Sequence, residues 1–317
     1  MRKCVSIVIP AYKVERHIET VIRQIPLWVK YVIVVDDASP DKTGQIVQSL
    51  MMRDQRIVYI RHEKNQGVGG AMISGFKKAL EIGADICVKM DGDGQMDVSY
   101  LPSLIEPLIH GEADYTKGNR FRDFHALEKM PYIRRFGNLV LSFLVKASTG
   151  YWNIFDPTNG FVAIRKEALS QIDLEKVDKT YYFETSMLAN LYLVDAKVLD
   201  VPMPARYGEE ESNLRISKVI LEFPPKLLTT LIRRIVFKYF VYDFSMASVY
   251  LITGLPLVLF GLVFGIIKWI KYATLSIPAP TGTVILPTMC ILLGIQFMLS
   301  SLQIDLGSVP DKPISKP

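Results

Sequence analysis

Two long stretches without a charged residue limit how the last third of this 317-residue chain can fold. The first stretch covers Phe244–Ile267, and the second covers Tyr272–Ile304. Pro278 and Pro280 favour a loop at the start of the second stretch, which leaves Thr283–Ile304 as a helix. Both helices would be long enough to cross the apolar core of a bilayer. The pattern therefore predicts two transmembrane helices, and two buried helices of a soluble domain are the weaker alternative.

The segment that precedes the first predicted span is basic and amphipathic. Within Pro224–Tyr242, four basic residues are interleaved with apolar and aromatic ones: Lys226, Arg233, Arg234 and Lys238. Helices of this kind lie on membrane surfaces, and positive charge beside a span marks its cytoplasmic side. We therefore expect a multi-pass protein of the cell (inner) membrane with a cytoplasmic N-terminal domain. The predicted organisation is a globular domain (1–215), an amphipathic segment (216–243), two spans with a short connecting loop (244–304) and a cytoplasmic tail (305–317).

The first two thirds of the chain alternate β-rich runs with helical stretches, which predicts a Rossmann-like α/β fold with a mostly parallel sheet. Val5–Ile9 is closed by Pro10 and is too short for a signal peptide, so we assign it to the first strand. The other predicted strands are Tyr31–Val35, Ile57–Arg61, Ile86–Met90, Ala113–Lys117, Phe161–Ile164 and Ala196–Val201. The predicted helices are Val14–Gln24, Asp41–Met52, Gly69–Gly83, Tyr132–Thr149 and Glu184–Val194.

Charge and cysteine content exclude several classes of function. The formal net charge is only +5, and no lysine- or arginine-rich block is present, so nucleic acid is not an expected partner. Cys4, Cys87 and Cys290 are far apart and form neither a zinc spacing nor a disulfide framework. The four histidines show no metal-ligand spacing, so no role is assigned to them.

Polar motifs follow three of the predicted strands. They are Pro10-Ala11-Tyr12, Asp36-Asp37 and the acidic loop Asp91-Gly92-Asp93-Gly94-Gln95. Ligands of parallel α/β sheets bind at the carboxyl ends of the strands, so we expect these motifs to form one site.

The acidic loop is the strongest candidate for a metal site. Two carboxylates separated by one residue can offer hard oxygen ligands to Mg²⁺ or Mn²⁺, with phosphates and water completing the coordination. A metal held there would offset the charge of a diphosphate leaving group. In isolation an ordinary acidic turn is an equal alternative. An EF-hand is disfavoured because Pro102 stands at the twelfth position of the loop, where glutamate is required.

Other motifs support a nucleotide site to different degrees. Asp37 would face the ligand, while neighbouring side chains cap the helix that follows. Asn65–Ala71 lacks the lysine and serine of a phosphate-binding loop, so we favour a tight turn with close helix packing. Arg120 and Arg206 are candidate diphosphate ligands, because a guanidinium pairs well with phosphate oxygens.

The order of these motifs resembles glycosyltransferase family 2, and more narrowly its polyprenyl-phosphate glycosyltransferases. The resemblance depends on four motifs in succession: Ile9-Pro10-Ala11-Tyr12, Asp36-Asp37-x-Ser39-x-Asp41-x-Thr43, Asn65-x-Gly67-x-Gly69 and Asp91-Gly92-Asp93-Gly94-Gln95. Further matches are Gly118-Asn119-Arg120, Asp156-Pro157-Thr158-Asn159-Gly160-Phe161, Arg206-Tyr207-Gly208 and Ser212-x-Leu214.

The resemblance implies a GT-A fold, a UDP- or GDP-linked sugar donor, a polyprenyl phosphate acceptor at the membrane and a single inverting displacement. A divalent Mg²⁺ or Mn²⁺ would be held by Asp93 and Gln95. The catalytic residues it implies are Asp91, Asp93, Arg120 and Asp156. Those near the donor would be Pro10, Tyr12, Glu15, Asp37, Asp91, Gly92, Arg120 and Arg206. The acceptor phosphate would contact Arg134, Arg135, Ser212 and Arg215. Members of this group often self-associate, so the resemblance is also compatible with a homo-oligomer.

Two departures from the family pattern leave alternatives open. Asn213 stands where the family has a lysine, with Arg215 two residues later. The glycine-glutamate-tyrosine motif that often follows the last span is replaced by the sequence around Asp305. A polysaccharide synthase of the same fold and a non-catalytic nucleotide-sugar-binding membrane protein are the alternatives.

Overall fold

A seven-stranded mixed sheet forms the centre of the N-terminal part of the computed structural model, which describes residues 3–120, 132–156, 159–203 and 216–314. The strands are β1 (Val5–Ala11), β2 (Tyr31–Asp36), β3 (Ile57–Arg61), β4 (Ile86–Lys89), β5 (Tyr115–Asn119), β6 (Val162–Arg165) and β7 (Val198–Pro202). Every predicted strand is present, with ends that differ by at most two residues. The apolar strands β1, β2, β4 and β6 are almost completely buried on both faces, as uninterrupted apolar runs require, whereas β3 and β7 are partly exposed.

The strand order is β3-β2-β1-β4-β6-β5-β7. Strands β1 to β4 pair in parallel, and β5 pairs in parallel with β7. Strand β6 is antiparallel to both of its neighbours, β4 and β5. Its reversed direction brings the residues that precede it to the edge where the parallel strands end. The sequence pattern predicted the strand but not its direction.

Helices cover the sheet and continue into the C-terminal region. They are α1 (Ile18–Gln24), α2 (Thr43–Met51), α3 (Gly67–Glu81), α4 (Leu101–Ile109), α5 (Tyr132–Thr149), α6 (Lys166–Leu169), α7 (Phe183–Leu193), α8 (Ile216–Val236), α9 (Met246–Leu275) and α10 (Thr281–Gly307). Helix α4 was not predicted, and it contains two prolines, Pro102 and Pro107. Pro102 lies at the start of the helix, where a missing N–H is tolerated, and Pro107 lies inside its last turn.

The chain divides into two compact units, Met1–Leu231 together with Pro310–Pro317, and Ile232–Val309. The predicted boundaries at 215, 243 and 304 stay a prediction. The first unit contains the sheet and also the end of the chain. In it the backbone N–H of Ile314 donates to the buried Asp114 carboxylate over 2.9 Å, so the C-terminal segment contacts the sheet domain.

The second unit contains two helices that are long and apolar enough to cross a membrane, α9 and α10. Only 11% of the most apolar window of each helix is buried, so neither is the core helix of a soluble domain. The leucine, isoleucine and phenylalanine side chains point outwards, and the buried residues include Gly254, Gly261 and Gly294. Both predicted spans are therefore present as candidate membrane helices: the first starts at Met246 and continues to Leu275, and the second is longer than predicted at both ends.

A buried ion pair stabilises the second unit where the start of the unit meets the end of α10. Asp305 in the last turns of α10 accepts hydrogen bonds from Arg234 (2.5 and 3.0 Å) and from the hydroxyl of Tyr239 (2.5 Å). Tyr239 belongs to a π-helical turn, Phe237–Tyr242, that follows α8. The basic segment predicted at Pro224–Tyr242 therefore contains a residue, Arg234, that is buried against a carboxylate.

Candidate functional site

The loops that follow the parallel strands meet at one edge of the sheet in the first unit. Residues after β1, β2 and β4 contribute the three motifs singled out in the sequence, and Arg120 follows β5. Because β6 runs in the opposite direction, Asp156 reaches the same edge from the segment before that strand. The observed edge therefore contains five contributions, of which sequence patterns identified three by strand position.

The loop after β1 is joined to the loop after β2 by backbone-to-side-chain hydrogen bonds. The N–H of Lys13 donates to Ser39 (2.7 Å), and the N–H of Val14 donates to Thr43 (3.1 Å). In return, the N–H of Lys42 donates to the Glu15 carboxylate over 2.9 Å. The two loops therefore form one rigid rim around the strand ends.

A cavity of about 320 Å³ opens beside this rim, and its lining residues are Lys13, Glu15, Arg16, His17, Pro40 and Asp41. Burial raises the pKa of the Asp41 carboxyl, but hydrogen bonds from Ser39 and Thr43 outweigh this and lower it below its usual value. The cavity thus offers the carboxylates of Glu15 and Asp41, to which a base or ribose could donate hydrogen bonds, beside the cations of Lys13 and Arg16. Pro10 is half-buried nearby on β1, and Tyr12 is exposed.

Asp37 supports the turn that opens α3. One carboxylate oxygen accepts from the N–H of Gln66 and the other accepts from the N–H of Gly67, both over 2.8 Å. The Nδ1 of His62 lies 2.7 Å from the same carboxylate, so a histidine to which the sequence assigned no role fixes Asp37. A role for Asp37 in contacting base or ribose stays a prediction.

The glycines of this turn permit close packing. Gly67 has φ +84°, and a Cβ at Gly69 would lie 2.2 Å from the backbone oxygen of Asp178. The Asn65–Ala71 segment is therefore a tight turn packed against the 178–179 backbone, as the sequence suggested.

The acidic loop follows β4 directly and turns sharply at Gly94, which has φ +78°. Gly92 is buried, Asp91 and Asp93 are half-buried, and Gln95 is exposed. The N–H of Gln95 donates to the Asp93 carboxylate over 3.0 Å, which closes the turn between these two residues.

The donor set of this loop suits a hard divalent cation. A carboxylate at Asp93 and an amide oxygen at Gln95 are the ligand types that Mg²⁺ and Mn²⁺ prefer. Within the described ranges no cluster of three or more histidine, cysteine or acidic side chains forms a complete metal cage. A cation here would therefore take its remaining ligands from water or from phosphates of a bound substrate.

Lys89, on the strand before the acidic loop, is a buried cation that sequence analysis missed. Its Nζ lies 2.7 Å from Asp91 and 3.3 Å from Glu184 on α7. Burial lowers the pKa of Lys89, but the two carboxylates more than offset this and raise it to about 12. The ammonium therefore stays charged throughout the physiological range.

Asp156 is completely buried and is paired with Arg120. It accepts from Nε (2.8 Å), Nη2 (3.2 Å) and the backbone N–H (3.2 Å) of Arg120. The Arg120 side chain is still 39% exposed, so the guanidinium is oriented by the carboxylate and also reaches solvent. This geometry presents a fixed positive group at the sheet edge, where a phosphate could bind.

Helix α5 exposes an apolar face beside the Asp156 segment. Leu139, Val140, Phe143 and Leu144 are exposed, and Phe155, next to Asp156, is half-exposed. The hydroxyl of Ser142 donates to the carbonyl oxygen of Phe155 over 3.1 Å, and the Lys146 ammonium lies 5.0 Å from the Phe155 ring centroid. The exposed apolar face and the Arg120–Asp156 pair therefore belong to the same part of the first unit.

Several predicted site residues cannot be compared with the structure. Arg206, Ser212 and Arg215 lie outside the described residues. Arg134 and Arg135 lie near the start of α5, and their side chains are outside the described part as well. Their assignment to phosphates stays a prediction.

A family model described as glycosyl transferase family 2 matches residues 6–173. The chain is 32% identical over 234 residues to a UDP-N-acetylglucosamine–dolichyl-phosphate N-acetylglucosaminyltransferase from Methanococcus voltae, covering 70% of this chain and 92% of that protein. It is also 32% identical over 173 residues to an undecaprenyl-phosphate mannosyltransferase from Micrococcus luteus, covering 54% of this chain and 70% of that protein.

Among solved structures, glucosyl-3-phosphoglycerate synthase from Mycobacterium tuberculosis, in complex with Mn²⁺, UDP and glucosyl-3-phosphoglycerate, has a similar fold. The TM-score is 0.51 at 21% identity, and the match covers 74% of this chain and 80% of that chain. The likeness confirms the predicted GT-A fold.

Proposed function

Because the chain belongs to glycosyl transferase family 2, we propose that this glycosyltransferase moves a single sugar from a nucleoside-diphosphate donor to a polyprenyl phosphate at a membrane surface. The names of two relatives, which act on dolichyl and undecaprenyl phosphates, support the choice of acceptor. The two apolar helices of the second unit support a membrane location.

One observation carries the proposal: the fixed Arg120–Asp156 pair and the exposed apolar face of α5 occur together. A lipid phosphate needs a cationic ligand for its headgroup and an apolar surface that reaches the bilayer. The buried Asp156 carboxylate orients the Arg120 guanidinium towards solvent, and the residues of α5 beside Phe155 would contact the acyl region. A soluble acceptor would not need the apolar face.

The donor would bind along the rim and the acidic loop. Glu15 and Asp41 line the cavity suited to base and ribose, with Pro10, Tyr12 and Asp37 nearby. Asp93 and Gln95 would hold a divalent metal, which would supply positive charge to the departing diphosphate. The synthase of similar fold binds Mn²⁺ and UDP, which supports a divalent metal beside a nucleoside diphosphate.

The reaction would be a single inverting displacement. An anionic oxygen of the lipid phosphate forms the new bond to the anomeric carbon of the sugar, and the bond from that carbon to the diphosphate oxygen breaks. The electron pair leaves with the nucleoside diphosphate. Because the attacking phosphate is already ionised near neutral pH, Asp156 needs only to orient Arg120 and the acceptor, not to remove a proton.

We propose that the two candidate spans leave the segment after α10 on the same side of the membrane as the sheet. The hydrogen bond from Ile314 to Asp114, both in the first unit, supports this topology. The basic residues Arg233 and Lys238 before the first span favour the cytoplasm for that side.

The test is a reaction of purified full-length protein in detergent with Mn²⁺ or Mg²⁺, polyprenyl phosphate and a panel of UDP- and GDP-sugars. We expect a lipid-linked monosaccharide with one or a few donors and none when the free polyprenol replaces its phosphate. NMR of the product should show the anomeric configuration opposite to that of the donor. Absence of lipid-linked product with every donor would refute the proposal.

A further inference from the structure

One buried lysine on the central strand β4 joins three parts of the site. Lys89 is 1% exposed, and a lone ammonium buried to this degree would be strongly destabilising. Its Nζ donates to Oδ1 of Asp91 (2.7 Å) and to the carbonyl oxygen of Gly160 (3.3 Å), and it forms an ion pair with Oε1 of Glu184 (3.3 Å). Three oxygen atoms therefore surround the ammonium, which carries three hydrogens.

The three oxygen atoms come from separate elements. Asp91 begins the acidic loop, Gly160 ends the segment that carries Asp156, and Glu184 lies in the first turn of α7. A second fully buried lysine, Lys117 on β5, donates to the carbonyl oxygen of Asn159 in the same segment. Two buried lysines therefore hold the segment that brings Asp156 to the sheet edge, through its carbonyl oxygens at Asn159 and Gly160.

Packing at Gly160 leaves no freedom in this arrangement. A Cβ at this position would lie 2.5 Å from the Lys89 Nζ and 3.0 Å from Oδ2 of Asp91. The Lys89–Asp91 pair therefore fills the space that any other residue at position 160 would need. A small addition there would displace the ammonium, the carboxylate or the turn.

We propose that Lys89 and Glu184 are positioning residues for sugar transfer. Lys89 fixes the Asp91 carboxylate relative to the segment that carries Asp156, and Glu184 holds the Lys89 ammonium in place. Because Asp91 would contact the donor, this role rests on the proposed function. Stability alone does not require the pair, since apolar residues of similar volume often replace a buried ion pair without loss of stability.

The expected effect is larger on the donor than on the acceptor. A displacement of about 1 Å of a group that aligns the reactants can lower the rate by about 100-fold. We therefore expect a loss of about that size in kcat/KM for the nucleotide sugar when the pair is removed. The KM for polyprenyl phosphate should change by less than the donor kcat/KM, because Lys117 still holds the segment that carries Asp156 and the apolar face of α5 is left intact.

The experiment compares K89M, K89M/E184M, G160A and R165M. K89M alone leaves Glu184 buried without its cation, so its melting temperature should fall in the absence of metal and nucleotide. K89M/E184M removes the lysine and the more buried of its two carboxylates, and leaves Asp91, which is 32% exposed and can be solvated. It should recover much of that fall, yet keep the loss in donor kcat/KM. Arg165 is the matched control, because it is a buried cation on the same sheet, paired with Asp114 at the opposite edge. R165M should lower the melting temperature with donor kcat/KM within about twofold of wild type.

Recovery of wild-type donor kcat/KM in K89M/E184M would overturn the positioning role. G160A keeps the charges of Lys89 and Glu184 and serves as an independent test if the double variant does not fold. A clear loss in donor kcat/KM supports the positioning role, and a wild-type value overturns it. Wild-type protein is assayed in parallel. If wild type itself forms no lipid-linked sugar, the proposed function fails, whereas equal activity of wild type and variants refutes the positioning role alone.

Discussion

The buried carboxylate of Asp156 provides a sharp test of the site geometry. Its two oxygens receive three hydrogen bonds from Arg120, at 2.8, 3.2 and 3.2 Å. Asp156→Asn keeps the size of the side chain, but the new amide nitrogen cannot accept a hydrogen bond. The variant therefore loses the charge and at least one contact, and an N–H group then faces the guanidinium.

The expected loss of stability in this variant follows from the hydrogen bonds of Asp156 and from the exposure of Arg120. A hydrogen bond to a charged group contributes about 1.5–3 kcal/mol, and breaking a fully buried pair costs about 3–5 kcal/mol. Arg120 is 39% exposed, so water can solvate the released guanidinium, and the cost should be lower than that of breaking a fully buried pair. We expect a loss of about 2–3 kcal/mol, equivalent to about 5–10 °C in the melting temperature of a domain of this size.

Asp200 offers a matched control. It is also a carboxylate with restricted solvent access, but Asn119 (2.9 Å) and the N–H of Phe155 (2.8 Å) both donate to the same oxygen. Its other oxygen is buried without a hydrogen-bond partner within the described residues, and burial raises the pKa of the carboxyl. Asp200→Asn can keep both hydrogen bonds and removes a buried charge, so its stability should stay within about 1 kcal/mol of wild type.

The assay is thermal unfolding of both variants in detergent, followed by near-UV circular dichroism, together with the KM for polyprenyl phosphate. D156N should melt at lower temperature and show a raised acceptor KM, because Arg120 is no longer oriented. D200N should match wild type in both measurements. Equal melting of D156N and wild type, or a larger loss in D200N, would refute the interpretation of this pair.

Three further predictions concern packing and buried charge elsewhere in the chain. Gly69→Ala should destabilise the protein by about 1–3 kcal/mol in thermal unfolding, because its Cβ would lie 2.2 Å from a backbone oxygen. Gly137→Ala on α5 is the control: its Cβ would have no neighbour within 4 Å, so the variant should be as stable as wild type or slightly more stable. Burial lowers the pKa of Lys117 to about 8, although nearby carboxylates oppose the shift. Between about pH 8 and the ordinary lysine pKa, the unfolded chain therefore binds more protons than the folded chain. The free energy of unfolding should rise with pH across that window because of this lysine. The difference in unfolding free energy between wild type and Lys117→Met, measured against pH, should show the rise. Asp305→Ala leaves Arg234 buried without its carboxylate and should cost about 3–5 kcal/mol, whereas a combined Arg234→Met and Asp305→Leu variant should recover most of that loss in the same unfolding assay.

The sequence predicted the elements of the sheet well because composition and periodicity are local. The runs at Val5–Ile9 and Tyr31–Val35 are almost purely β-branched, so burial on both faces follows from the residues alone. The direction of β6 is not local, since it depends on which neighbours the strand pairs with. That direction places Asp156 beside Arg120, a contact that no spacing along the chain indicates.

The ion pair between Lys89 and Glu184 was not predicted for a related reason. A lysine in the middle of the apolar run Ile86–Met90 was a visible signal, because a charge on a buried strand needs a partner. The partner, Glu184, is on a helix far along the chain, and one sequence does not identify such pairs. His62 was overlooked because it was considered as a metal ligand, whereas the structure pairs it with Asp37.

The central claim is metal-assisted sugar transfer at the acidic loop, and a metal-removal experiment tests it most directly. Wild type and Asp93→Ala are treated with EDTA, returned to excess Mn²⁺, and assayed for lipid-linked sugar with the best donor from the panel. We expect EDTA to abolish product formation by wild type, Mn²⁺ to restore it, and D93A to stay inactive while melting within a few degrees of wild type. Full activity of wild type in EDTA, or of D93A at any metal concentration, would contradict the claim.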